Sequence, residues 1–362
     1  MHIPDGYLSP QTCVAAYAVA VPTMALASRR VGATLGTRQV PTLAMFAAVS
    51  FLVMMVNIPI PGGTTAHAVG AAIIAVVLGP WAAVVAVSVA LLFQALLFGD
   101  GGVLAYGANV LDMAILMPFA AVGVYRLVAG RAALTSRRRV VAAGLGGYAG
   151  INVAGLATGV LLGIQPALFH DDAGAPLYSP YALSQTLPAM ALAHLTLAGA
   201  AEAILTAAVF AYLVKADPAR LAATHPGLIG AADTAGTAGV GVRRRLSPAR
   251  AAMAFVVVMT ALTPLGLLAP GGAFGEDAPE DLDLPALGLA VIPEGLARYT
   301  GFWRHTLLGD YGFADGDNAT LAYWLSALVG IVVVGLGVYA VGRLVSRAAV
   351  GNRSEPAGLP PS

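Results

Sequence analysis

The first ten residues, MHIPDGYLSP, put a histidine directly behind the terminal amine, and a second histidine, His67, closes the stretch NIPIPGGTTAH. In Met1-His2 the α-amine, the backbone nitrogen of His2 and an imidazole nitrogen of His2 can form fused chelate rings in one plane. An imidazole from His67 would complete four nitrogens. Planar nitrogen sets suit Ni(II) or Cu(II), whereas Zn(II) prefers a tetrahedron and Mg(II) or Ca(II) prefer oxygen. The only cysteine, Cys13, lies in an apolar segment, so any metal must use nitrogen or oxygen. Such a site needs a deprotonated amine and neutral imidazoles, with unperturbed pKa values of about 7.7–8.0 and 6.5, so acid is expected to weaken it. Pro4 and the Asp5-Gly6 turn would hold the short arm back over the elements beneath it. No basic region precedes the first apolar stretch, so Met1 is expected to remain.

The elements that must position these residues follow from composition. Hydrophobic residues make up 58% of the 362 and charged residues 10%, and apolar stretches of membrane-spanning length recur. The spacing predicts an all-α polytopic membrane protein with nine spans, near 9–28, 40–58, 67–79, 80–98, 103–128, 139–164, 188–215, 249–269 and 319–343. Gly79-Pro80 alone separates the third from the fourth. Basic residues mark the cytoplasmic loops. Arg29, Arg30 and Arg38, then Arg126 to Arg139, Lys215 to Arg245, and Arg343 with Arg347 all fall on one side of nine spans, which places the amino terminus outside. That side also receives the loops 58–66, 99–102, 165–187 and 270–318, where most acidic residues lie. The domains read as a seven-span module over 1–216, a cytoplasmic linker over 217–247, a two-span module with an outer loop over 248–345 and a disordered tail over 346–362. The net charge of +1 gives no sign of nucleic acid as a partner.

Four further polar residues lie inside spans, where ionisable groups are costly unless they serve a purpose. Asn109 and Asp112 share a helix face and, with His194, are candidates to support the metal site; Glu202 reads as structural pairing. His170, beside Asp171 and Asp172, could pass ions inward, but an exposed histidine is the plainer reading; His225 and His305 receive no role. Ala16 and Ala20 form a small-xxx-small pair that permits close helix approach. Lys215, the only lysine, follows valine, so there is no Walker A motif, and there is no HExxH. Catalysis in this chain is not expected.

MHIPDGYLSP, NIPIPGGTTAH, QALLFGDGGVLAYGANVLDM and HLTLAGAAEAILT resemble the signature segments of the CbiM/NikM family, the substrate-capture (S) components of energy-coupling factor transporters for cobalt and nickel. The likeness covers essentially all of 1–215. It implies metal binding by Met1, His2 and His67, with Ni(II) or Co(II) as the transported ion and no permanent cofactor. It also implies a transmembrane coupling (T) subunit and cytoplasmic ABC-type ATPases as separate partners within the lipid membrane, with Ala16 and Ala20 on the helix that docks on the coupling subunit. Release would follow when His67 is drawn away from the amino-terminal chelate. The chain departs from the family wording at Ala66, Gly99 and Asp112, and a carboxylate at 112 could alter hydrogen bonding near the metal. TPLGLLAPGGAFGE and IPEGLARYTGFWRHTLLGDYGF resemble the NikN/CbiN or PDGLE-type companion, here fused. Its outer loop carries Glu276, Asp277, Glu280, Asp281 and Asp283, which could gather cations, though acidic loops are most often simply solvated. Two rival readings stay open: a self-sufficient secondary transporter with Asp112, His194 and Glu202 as a proton relay, and a membrane metal sensor acting through the linker. Nickel and cobalt are not separated by these residues.

Overall fold

Long uncharged runs of Ala, Val, Leu and Gly leave the backbone no hydrogen-bond partner in hydrocarbon but itself, and the chain folds into helices. A computed structural model describes residues 1–34, 39–60, 64–218, 221–222, 248–268, 272–314 and 316–351. The helices are α1 (Pro10–Thr34), α2 (Val40–Met54), α3 (Ala71–Leu78), α4 (Pro80–Phe98), α5 (Tyr106–Ala129), α6 (Arg137–Gly163), α7 (Leu183–Ala216), α8 (Pro248–Leu262), the short α9 (Glu294–Tyr299) and α10 (Ala319–Gly351). Six of the described helical segments are long and apolar enough to cross a membrane: α1, α4, α5, α6 with its continuation to Leu168, α7 and α10; α2 and the segment Met253–Leu268 are shorter. The fold is all-α and polytopic.

The expected third span needs correction. Residues 58–60 and 64–66 pair as an antiparallel hairpin's two strands, Ile58 facing Ala66 and Ile60 facing Thr64, and residues 67–70 are non-helical. Only Ala71–Leu78 is helical, about 12 Å of rise, and residues 67–70 before it complete the stretch in non-helical form. Every residue of α3 is buried, so this apolar run serves the bundle interior and not lipid. Most of the expected linker, with His225 and Arg243 to Arg245, lies outside the described residues, as do 352–362; α10 itself runs through Gly351, past the expected end at 343.

Lipid tails are as apolar as the side chains, so the helices associate through close packing and hydrogen bonds rather than a hydrophobic drive. Small residues on α6 supply the close packing. A Cβ on Gly146 or Gly150 would stand 2.6 or 2.8 Å from the carbonyl oxygens of Ala121 and Met117 on α5, and one on Gly147 would stand 2.7 Å from Thr206 Oγ1 on α7. The Ala16/Ala20 pair acts in the same way and corrects the docking expectation: these residues are 5% and 1% exposed, facing into the chain's own bundle. The outward face of α1 carries Val14, Val19, Val21 and Leu26 instead.

Three helices widen by one residue per turn as they pass the interior: α4 over Gln94–Phe98, α5 over Val110–Leu116 and α7 over His194–Ala198. Each wide turn bears one buried polar side chain, Gln94, Asp112 or His194. Such turns are often found at functional sites.

Candidate metal site at the amino terminus

The arm is fixed first by Asp5. Its carboxylate accepts hydrogen bonds from the amides of Val103 (3.1 Å), Leu104 (2.8 Å) and Ala105 (3.2 Å), the residues that lead into α5. A helix start presents unpaired N–H groups and a positive dipole end, so a carboxylate from a distant segment is held there. Gly102 permits this approach, since a Cβ would stand 2.0 Å from Asp5 Oδ1. Asn109 then clamps the next residue inward: its Oδ1 accepts from Ile3 N–H at 2.8 Å and its Nδ2 donates to Ile3 C=O at 3.1 Å. Gly102 N–H also donates to Ile3 C=O, at 2.8 Å. With Ile3 held, Met1 and His2 are buried.

His67 arrives from the opposite direction on the stretch between the hairpin and α3. Glu202 of α7 fixes that stretch, its Oε2 accepting from the amides of Val69 (2.8 Å) and Gly70 (2.9 Å), and Ser50 Oγ donates to Val69 C=O at 2.7 Å. Gly70 adopts a left-handed φ of +74°, which glycine takes at low cost, and this turns the chain into α3. The His2 and His67 rings face each other with centroids 5.0 Å apart and planes 27° from parallel.

The nitrogens are unevenly engaged. His67 Nδ1 lies 3.0 Å from Ala68 C=O, so the neutral ring donates there and turns a buried, unpartnered Nε2 lone pair inward. His2 Nδ1 lies 3.0 Å from Asp100 Oδ1, while its Nε2 is buried without a hydrogen-bond partner among the described residues. The Met1 amine donates to Glu276 Oε1 at 2.8 Å. Asp100 Oδ2 accepts from Tyr311 Oη at 2.5 Å and Gln94 Nε2 at 3.1 Å. His2, His67, Asp100, Glu276 and Tyr311 border a cavity of about 260 Å³.

Burial and the cationic amine beside it push the His2 imidazole down to about 4, and the same two causes, joined by His2, hold His67 well below the ordinary range. Both rings are therefore neutral at pH 7, the form that can ligate a metal. Burial raises Asp100, against the hydrogen bonds from Tyr311 and Gln94, and raises Tyr311 well above the usual phenol, keeping its O–H a donor. Among the described residues no three His, Cys, Asp or Glu side chains group to hold a metal. A multidentate site here depends on main-chain nitrogen, which only the amino terminus supplies as an amine.

Of the residues singled out from sequence, Met1, His2, His67 and Asn109 are brought together. Asp112 accepts from Thr158 Oγ1 at 2.8 Å across α5 and α6 and bonds to none of the ligands, so its expected influence on the metal has no direct contact to act through. His194 Nδ1 lies 2.8 Å from Met190 C=O, with its buried Nε2 unpartnered among the described residues. Glu202 supports the His67 stretch from below. His170 and His305 are exposed and away from the arm. Sequence reasoning missed Asp100, Gln94 and Tyr311, and it grouped Glu276 with the acidic loop as a whole. A Gly-Asp-Gly-Gly turn was the one available signal for Asp100; nothing local marks Tyr311.

Residues of the second module between Ala273 and Leu308 lie directly on this site. Trp303 Nε1 donates to Leu96 C=O at 2.8 Å, the amides of Leu307 and Leu308 donate to Leu97 C=O at 2.8 and 3.0 Å, and Gly295 N–H donates to Leu177 C=O at 2.8 Å. Tyr7 Oη on the arm donates to Asp277 C=O at 2.8 Å, and Thr65 of the hairpin bridges to Ala273.

Comparison with known proteins agrees with this arrangement. The family described as the cobalt uptake substrate-specific transmembrane region matches residues 2–220. The fused nickel transport protein NikMN of Rhodobacter capsulatus is 46% identical over 96% of this chain and 100% of its own length. The probable fused nickel transport protein LarMN of Lactiplantibacillus plantarum is 40% identical over 92% of this chain and 95% of its own. A crystal structure of a truncated transition metal transporter superposes with a TM-score of 0.56 at 51% identity, covering 59% of this chain and 99% of that one. With the amino-terminal arm, the helical bundle and the second module all in place, this chain belongs to the CbiM/NikM family of cobalt and nickel transport proteins, in the form that carries a fused NikN module.

Proposed function

We propose that the chain captures Ni(II) or Co(II) at the outer face of the cell membrane and is the metal-binding subunit of an ATP-driven importer of the energy-coupling factor type. The observation that carries this reading is that the facing His2 and His67 rings, both neutral, line one cavity with the cationic Met1 amine close enough to act on both. The amine, the His2 amide nitrogen and a His2 imidazole nitrogen form the fused rings, and His67 Nε2 supplies the fourth nitrogen. Asn109 and Asp5 hold the arm, and Glu202 holds the His67 stretch, so little order remains to be imposed on binding. The basic loops set the amino terminus outside and the carboxy terminus in the cytoplasm. Energy comes from a coupling subunit and ATPases on other chains. Withdrawal of His67 opens the site for release.

Equilibrium Ni(II) and Co(II) titration of the purified chain tests this, comparing the native amino terminus with one extended by a residue and with His67→Ala. Tight binding of one ion to the native chain, lost in both variants, is the expected result, and the preferred metal is read from the same curves. Undiminished binding by the extended chain removes the amine as a ligand and overturns the site.

A further inference from the structure

The chelate geometry open to Met1-His2 fixes which nitrogens an ion uses. One ring runs through the amine and the His2 amide nitrogen, and the fused one through that amide nitrogen and Nδ1; Nε2 lies too far round the imidazole to close it. Two of these three nitrogens are already engaged by carboxylates that border the same cavity. Glu276 holds the amine at 2.8 Å, with side-chain exposure of 1% on the Met1 side and 20% on the Glu276 side. Asp100 stands 3.0 Å from His2 Nδ1 and is itself held at its other oxygen by Tyr311. An imidazole nitrogen has a single in-plane bonding direction and an ammonium has no free lone pair, so a nitrogen engaged in this way is closed to a metal. Glu276 and Tyr311 both belong to the second module, whereas Asp100 belongs to the first.

We propose that the second module acts as a lock on the amino-terminal chelate: Glu276 directly, and Tyr311 through Asp100, compete with the ion for the Met1 amine and for His2 Nδ1. The inference rests on the capture reading above. Binding an ion breaks both contacts. Once the ion leaves, both re-form and oppose its return. Glu276 and Tyr311 are thus positioning residues that set how tightly the ion is held and how fast it departs, by the same competition that any ligand exclusive to one state imposes.

The test is Ni(II) titration with chelator-challenge dissociation rates on the full chain, comparing native protein, Glu276→Gln, Tyr311→Phe, and each of these with a one-residue amino-terminal extension. Glu276→Gln takes the carboxylate charge, though not the acceptor oxygen, from the competing state, which corresponds to up to about tenfold tighter binding with slower dissociation; Tyr311→Phe shifts in the same direction, and the extension abolishes binding in every background. Tightening in either variant upholds the lock. Native affinity in both variants overturns it, and so does weaker binding in both, which would make these groups aids to holding the ion. If the extended native chain binds normally, the capture reading fails and the lock falls with it; if the extension abolishes binding while both variants match the native chain, the lock alone falls.

Discussion

Asn109 offers the sharpest single perturbation of the arm. Its side chain makes two hydrogen bonds to Ile3, accepting from N–H at 2.8 Å and donating to C=O at 3.1 Å, and it is buried. In Asn109→Ala the Ile3 carbonyl keeps its bond from Gly102, but the Ile3 N–H is left buried without a partner. The lost bond to the carbonyl at ~1 kcal/mol and the orphaned N–H at ~1–3 kcal/mol destabilise the closed arm by about 2–4 kcal/mol. Asp5 still anchors the other end through three amides, so part of that loss is absorbed and Ni(II) affinity falls by up to roughly a hundredfold. Asn109→Asp retains the acceptor for Ile3 N–H and loses only the donor, whose carbonyl partner stays satisfied; the expected loss is about fivefold, for ~1 kcal/mol. Calorimetric titration of the two variants against the native chain, with hydrogen exchange at residues 2–8 as a direct measure of arm opening, gives the order native, Asp, Ala. An alanine variant that binds as the native chain does, or an aspartate variant worse than alanine, refutes the clamp.

Glu202 separates a structural support from a proton relay. Glu202→Gln keeps an acceptor oxygen for Val69 and Gly70 and should leave metal binding within about threefold, while Glu202→Ala orphans two buried amides at about 1–3 kcal/mol each and should lower both melting temperature and affinity. Uptake lost equally in both variants, with binding intact in the Gln form, would point to the relay instead. The histidines give a pH signature. His2 is depressed in the folded state to about 4, so below about 6.5 the unfolded chain takes up a proton that the folded chain refuses. Folding stability is therefore present above that range and declines as pH falls toward 4, by about 3 kcal/mol from His2 alone, with His67 adding in the same direction. Thermal melts in the presence of chelator from pH 7 to 4 should show this decline, and His2→Asn should reduce it; a flat native profile contradicts the burial argument.

What could be read from the sequence was local or collective. The chelating capacity of Met1-His2 is a matter of covalent geometry within two adjacent residues, so it was legible before any fold. The membrane bundle was legible because hydrocarbon offers the backbone no alternative to helices, and uncharged runs announce them. The second module announced itself through its own apolar runs. Asn109 and Glu202 were legible as polar residues in apolar helices, though not which backbone groups they would hold.

The tertiary structure decided what depends on facing. An apolar run such as 67–79 reads alike whether it meets lipid or the bundle interior, and only packing made it the short buried α3 preceded by the non-helical stretch that bears His67. Ala16 and Ala20 permit close approach to any helix, and the structure turned them toward the chain's own bundle. The contacts around the amino-terminal arm join Met1 to Glu276 and Asp100 to Tyr311 across 275 and 211 residues of sequence. A hydrogen bond of that span leaves no periodicity and no spacing in the chain. It exists only because folding brings the second module's long loop onto the first module's amino terminus.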